Sequence, residues 1–171
     1  IRGQRYREGN HDYIIQRGGM VVFPRLVAAE HHSNFPRSSL ACGIIGLDEQ
    51  LGGGLDRGTA NMFMGPPGTG KSTLALKFAL AAAARGERSN FYLFDETVGN
   101  LLARANSLSM DLEQQVIQGM IRLEQIDPAE ISPGELAFRI RNSVQSVGTR
   151  LVIIDSINGY LNAMPEERHL N

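Results

Sequence analysis

A chain of 171 residues, 42% of them hydrophobic, is long enough for a domain with its own core and too apolar for disorder to be the default. Its 17 Lys and Arg against 18 Asp and Glu leave a net charge of -1, so no global field draws it to nucleic acid or to an anionic membrane. One cysteine, Cys42, excludes an internal disulfide and a cysteine-built zinc knuckle, and no apolar run reaches the roughly 18 residues that span a bilayer; a soluble protein of a reducing, cytoplasmic setting is expected.

The chain begins without Met and stops at His169-Leu170-Asn171, and reads as a piece of a longer protein. Residues 1 to about 28 are Arg-rich and hold two apolar runs, Tyr13-Ile14-Ile15 and Met20-Val21-Val22-Phe23, around the turn signal Arg17-Gly18-Gly19, which predicts a β-hairpin. Residues 29–40 are polar, with His31-His32, serines and a proline, and suit a linker that marks a domain boundary. His11, His31, His32 and His169 offer no ligand set for a metal.

Beyond the linker, strand-like and helix-like segments alternate. Thr59 to Met64 reads as a strand, and Lys71 to Ala84, rich in Ala and Leu, as a helix stopped by Arg85-Gly86. Phe91 to Phe94 is a short strand, Val98 to Leu108 a helix, and Met120 to Ile126 a weaker strand. Ser132-Pro133-Gly134-Glu135 is a capping box with Pro at the first helical position, followed by Leu136, Ile140, Val144 and Val147 at helical spacing, with Gly148 as the stop. Leu151-Val152-Ile153-Ile154, ending in Asp155, has the pattern of a strand buried on both faces of a parallel sheet. This alternation predicts an α/β fold, a mainly parallel sheet flanked by helices and preceded by the hairpin.

The chemistry concentrates in Gly65-Pro66-Pro67-Gly68-Thr69-Gly70-Lys71-Ser72, which fits G-x-x-x-x-G-K-[ST] between a predicted strand and a predicted helix. In such a loop the glycines let successive N–H groups face phosphate oxygens, and the helix start adds partial positive charge. Lys71 would reach the β- and γ-phosphates of ATP, Ser72 would ligate Mg2+, and Thr73 completes the binding segment. Asp155, at a strand end, is the natural second Mg2+ residue. Asp95-Glu96 ends another strand, and strand ends of a parallel sheet line one crevice. There Glu96, or Asp95, could take a proton from the water that attacks the γ-phosphate; the competing reading is an acidic N-cap for the helix near Val98.

These residues resemble the KaiC-type branch of RecA-like P-loop ATPases. The resemblance rests on the lead-in Ser39-Leu40-Ala41-Cys42-Gly43-Ile44-Ile45-Gly46-Leu47-Asp48 with Leu51-Gly52-Gly53-Gly54-Leu55, on Phe94-Asp95-Glu96-Thr97, on Leu101-Leu102-Ala103-Arg104-Ala105 and Met110-Asp111-Leu112, and on Ile154-Asp155-Ser156. It implies that residues 1–28 are the C-terminal tail of a preceding ATPase domain, 29–40 a linker, and 41–171 the N-terminal part of a second ATPase domain. Ser109 stands where the family usually has Gly. The resemblance further implies a homo-oligomeric ring, a hexamer, with signalling-protein partners, and Arg2 presented to the nucleotide of an adjacent subunit; ATP binding carries over, whereas the serine/threonine autokinase activity of clock-type members belongs to the second half of the domain, after Asn171, and does not carry over from these residues. Two other readings share the motifs: a RecA/RadA-type recombination ATPase, and an ATP-gated oligomerisation module with negligible turnover. A strand ending in an acidic pair between the P-loop helix and Asp155 argues against nucleoside monophosphate kinases.

Overall fold

The computed structural model describes residues 9–27 and 38–162. Arg2, His31, His32, His169 and most of the expected linker lie outside them. The hairpin is present: β1 (Asp12–Gln16) pairs antiparallel with β2 (Gly19–Phe23), and Gln16 opposite Gly19 leaves Arg17-Gly18 as a two-residue turn. Gly18 has φ +111°, which a side chain would resist. One hairpin face docks on α5 (Pro133–Asn142), where the Phe23 and Phe138 rings lie 5.5 Å apart and the Gly134 N–H donates to Asp12 Oδ2 at 2.6 Å.

Ser39 and Leu40, assigned from sequence to the linker, form a strand, β3 (Ser39–Leu40), that pairs with β4 (Leu55–Asp56). Between them lies α1 (Ile45–Gln50), whose Asp48 carboxylate accepts the Cys42 and Gly43 N–H groups at 2.8 and 2.9 Å. Gly54, at φ +125°, closes this ribbon; a Cβ there would overlap the Leu40 carbonyl and stand 2.6 Å from the Ala41 nitrogen. The strand expected at Thr59 to Met64 does not form. A strand exists through a ladder partner, and the three strands of the sheet engage only one another among the described residues. Met62 and Met64 stay exposed, while Phe63 anchors the segment against Phe78, ring to ring at 6.0 Å.

The central sheet is parallel with order β6 (Ile121–Gln125), β5 (Arg88–Leu93), β7 (Thr149–Asp155). Because side chains alternate along a strand, the two faces build separate cores. Phe91 and Leu93 with Ile121 face α2 (Lys71–Ala84), α3 (Val98–Ser107) and α4 (Leu112–Ile117), against Leu76, Ala79, Leu101 and Leu112. Tyr92 on the other face packs with Ile126, Ile131 and Leu136, the last from α5. Helix α2 is buried on a second side too, where Phe78 and Ala82 meet Leu40 and Cys42 of the lead-in.

Local signals explain most element ends. Thr97 caps α3 by accepting the Asn100 N–H, and Ser132 caps α5 by accepting the Glu135 N–H at 3.1 Å. The capping box is only half closed: Glu135 turns its carboxylate to Arg139 Nη2 at 2.7 Å, one helical turn on. A π turn (Ser143–Val147) extends α5 to Gly148, in the left-handed region at φ +78°. Strand β7 is not buried on both faces as its composition predicts; it is half-buried, and Ile154 is exposed, because β7 is an edge of the described sheet.

Candidate functional site

Residues 65–70 form the turn that opens α2. Gly68 and Gly70 both adopt left-handed backbone, φ +82° and +85°, and Gly70 is the N-cap. No side chain caps this helix start, so the first-turn N–H groups stay available to an anion, and the helix dipole favours one there. Thr69 Oγ1 donates to the Pro66 carbonyl at 2.9 Å, and Lys71 Nζ donates to the carbonyls of Gly65 and Pro66, both at 2.8 Å. The ammonium thus lies folded over the loop it would share with phosphate oxygens. Ser72 and Thr73 follow in the first turn of α2, half-buried.

Strands β5 and β7 run parallel with Leu93 opposite Asp155, and the Phe94 N–H donates to the Asp155 carbonyl at 2.8 Å. Asp95, Glu96 and Asp155 therefore leave the same edge of the sheet, on the strands against which α2 packs. Their carboxylates have different surroundings. Asp95 Oδ2 accepts a hydrogen bond from the hydroxyl of Ser156. Glu96 Oε2 accepts from Arg104 Nη2 at 2.7 Å, a half-buried ion pair. Asp155 Oδ2 is buried with no hydrogen-bond partner among the described residues. A buried carboxylate oxygen without a donor is costly unless a cation or water meets it, which fits a divalent ion held jointly with phosphate. The donor set fits Mg2+ in that form only, since no group of three or more His, Cys, Asp or Glu among the described residues could hold a metal alone.

The structure brings the sequence-predicted residues together in two groups, Gly65 to Thr73 at the start of α2 and Asp95, Glu96 and Asp155 at the sheet edge. It removes the capping alternative for the acidic pair, because Thr97 caps α3. Sequence reasoning missed the partners. Arg104 returns to Glu96 from the last turn of α3, and Ser156 binds Asp95; each pairing joins elements whose approach no local pattern encodes. Gly159 in α6 (Ile157–Asn162) also went unread: a Cβ there would overlap Phe94 and stand 2.9 Å from Asp95 Oδ1, so α6 can lie this close only with Gly. Beside it, Tyr160 packs edge-on against Phe94, and burial, then the charge of Asp12, pushes its phenol above the ordinary range.

A family model described as "ATPase: KaiC" matches residues 40–169. Among curated proteins, the circadian clock protein KaiC2 of Synechocystis is 28% identical over 161 residues, 94% of this chain and 28% of that protein. The circadian clock oscillator protein KaiC of Synechococcus elongatus is 27% identical over 160 residues, 92% of this chain and 30% of the relative. That of Parathermosynechococcus lividus is 28% identical over 160 residues, 92% and 29%. The chain spans less than a third of the length of these relatives.

Proposed function

The chain belongs to the KaiC ATPase family, and from that premise we propose that it binds Mg-ATP at Gly65 to Thr73 and hydrolyses it. The observation that carries this reading is the shared edge of β5 and β7, where the paired Glu96 and the Asp155 oxygen that has no partner among the described residues stand at the ends of the strands against which α2 packs. In this reading Lys71 exchanges its loop carbonyls for the β- and γ-phosphate oxygens, and the N–H groups of the glycine-rich turn fix the phosphate chain. Ser72 and Asp155 would hold Mg2+, which, when bound, offsets charge on the phosphates. Glu96 orients the attacking water and accepts its proton. Asp95, tied to Ser156, holds the strand end in place.

The same premise extends to the whole protein. By likeness to relatives named as circadian clock proteins, the longer protein would be a regulatory ATPase, a homo-oligomeric and hexameric ring of the cytoplasm with protein partners and serine/threonine autokinase activity. Residues 1–28 would end a preceding ATPase domain, with Arg2 reaching a neighbouring subunit's nucleotide.

Glu96→Gln in the full-length protein tests the catalytic part. The amide keeps shape and hydrogen bonding but cannot take the proton, so Mg-ATP binding persists while turnover falls about 10²- to 10⁴-fold. Hydrolysis at the parental rate would remove Glu96 from the base role.

A further inference from the structure

We propose that Arg104 is the positioning residue that aims Glu96 at the attacking water, an inference that rests on the base role of Glu96. Three observations carry it. First, Arg104 Nη2 lies 2.7 Å from Glu96 Oε2, with side-chain exposures of 35% and 21%, so the pair is not a fully solvated rim contact, which would contribute little. Second, only one carboxylate oxygen is taken. Oε1 carries no hydrogen bond among the described residues, which leaves it for another donor. Third, Arg104 Nε is buried with no acceptor among the described residues. An Arg meets a carboxylate best through two parallel N–H bonds, and here one prong is used while the other is out of water and unmatched. A guanidinium held in this incomplete geometry is placed by the packing of α3, whose Leu101 and Ala105 are fully buried on either side of it in sequence.

The consequence is chemical. A glutamate leaving a strand end has three side-chain torsions to fix before its oxygen can meet a water in line with the γ-phosphate. Neighbouring anchors do not do this: Thr97 serves the helix, and Ser156 serves Asp95. Arg104 holds Oε2, so Oε1 becomes the acceptor. The water oxygen forms its bond to the γ-phosphorus, the bond from that phosphorus to the β–γ bridging oxygen breaks, ADP leaves with the electron pair, and the water proton passes to Oε1. Arg104 touches none of the reacting atoms.

Steady-state hydrolysis by the full-length protein, with ATP binding measured alongside, tests this with Arg104→Gln, Arg104→Lys, Glu96→Gln and the double variant Glu96→Gln/Arg104→Gln. Arg104→Gln is expected to lower kcat about 10- to 100-fold with KM for ATP within about twofold of the parent. Arg104→Lys, which restores the charge but not the planar fork, recovers part of that loss. In the Glu96→Gln background Arg104→Gln changes kcat by less than about twofold, because the positioned group is already disabled. An unchanged kcat in Arg104→Gln, with Glu96→Gln slow, overturns the positioning role alone. An equal proportional loss in both backgrounds, or a loss traced to fewer ATP-binding sites, makes Arg104 structural and overturns it as well. If Glu96→Gln itself runs at the parental rate, the base reading falls and Arg104 has nothing to position.

Discussion

Strands β5 and β7 deliver carboxylates to one edge of one sheet by different constructions. β5 is the centre: Ser89 to Leu93 are buried, and its acidic pair is tied down by Ser156 and Arg104. β7 is an edge of the described sheet and half-buried, yet its terminal Asp155 holds an oxygen that is buried and has no hydrogen-bond partner among the described residues. The difference separates two uses of a carboxylate. A group with a protein partner is already oriented before a ligand arrives, whereas a group without one leaves its hydrogen-bonding capacity to the ligand.

The largest effect expected from breaking this comparison belongs to Asp155→Asn. The change removes a charge that forms no ion pair among the described residues, so folded-state stability without nucleotide shifts by no more than about 1 kcal/mol, while Mg-ATP turnover falls about 100-fold or more. Denaturant unfolding and hydrolysis rates measured on the same preparation check both halves. A destabilisation above about 3 kcal/mol with turnover largely intact would make Asp155 a structural residue.

A smaller effect sharpens the other side of the comparison, at the end of the helix that carries Arg104. Ser109 sits at φ +53°, the only non-glycine among the described residues with positive φ, where a side chain costs about 1 kcal/mol. Ser109→Gly is expected to raise stability by about that amount and to leave hydrolysis unchanged; lower stability in thermal unfolding would contradict the backbone argument.

The smallest lies away from the edge. Glu87 accepts two hydrogen bonds from Arg57 Nη2, at 2.7 and 2.8 Å, and that contact holds its carboxyl below the usual carboxylate range. A lowered folded value means the contribution is complete above the unfolded value of about 4.3 and disappears as pH falls through the lower folded one. The pair is partly exposed, so the contribution is at most about 1 kcal/mol. Comparing unfolding at about pH 6 and about pH 3, Glu87→Gln should lose less stability than the parent by that amount; identical pH dependence would show that the pair contributes nothing.

Much of this architecture was legible because its signals are local. Ser132-Pro133 starts α5, Lys71 to Ala84 is a helix to the residue, and the Arg17-Gly18 turn sets the hairpin register. What was illegible depends on partners distant in sequence. Thr59 to Met64 has a strand-like composition but no ladder to join, and β7 has the composition of a central strand at an edge position. At the site, Gly65 to Ser72 and the acidic strand ends could be read from spacing, whereas Arg104 on Glu96 and Gly159 under Asp95 follow from how α3 and α6 return to the sheet. Ser109 lies between: the resemblance marked it as a departure from Gly, and its positive φ gives the departure a physical meaning.

The measurement that meets the central claim most directly is calorimetric titration of the full-length protein with Mg-ATP, parent against Lys71→Ala. Lys71 is half-buried at the loop and belongs to no core cluster among the described residues, so Lys71→Ala removes the ammonium that the proposed reading sets against the phosphates and leaves the core packing in place. Binding to this site is expected to weaken about 10-fold or more, in line with the loss of a charge-assisted contact of about 1.5 to 3 kcal/mol. An unchanged dissociation constant would contradict the assignment of Gly65 to Thr73 as the nucleotide cradle.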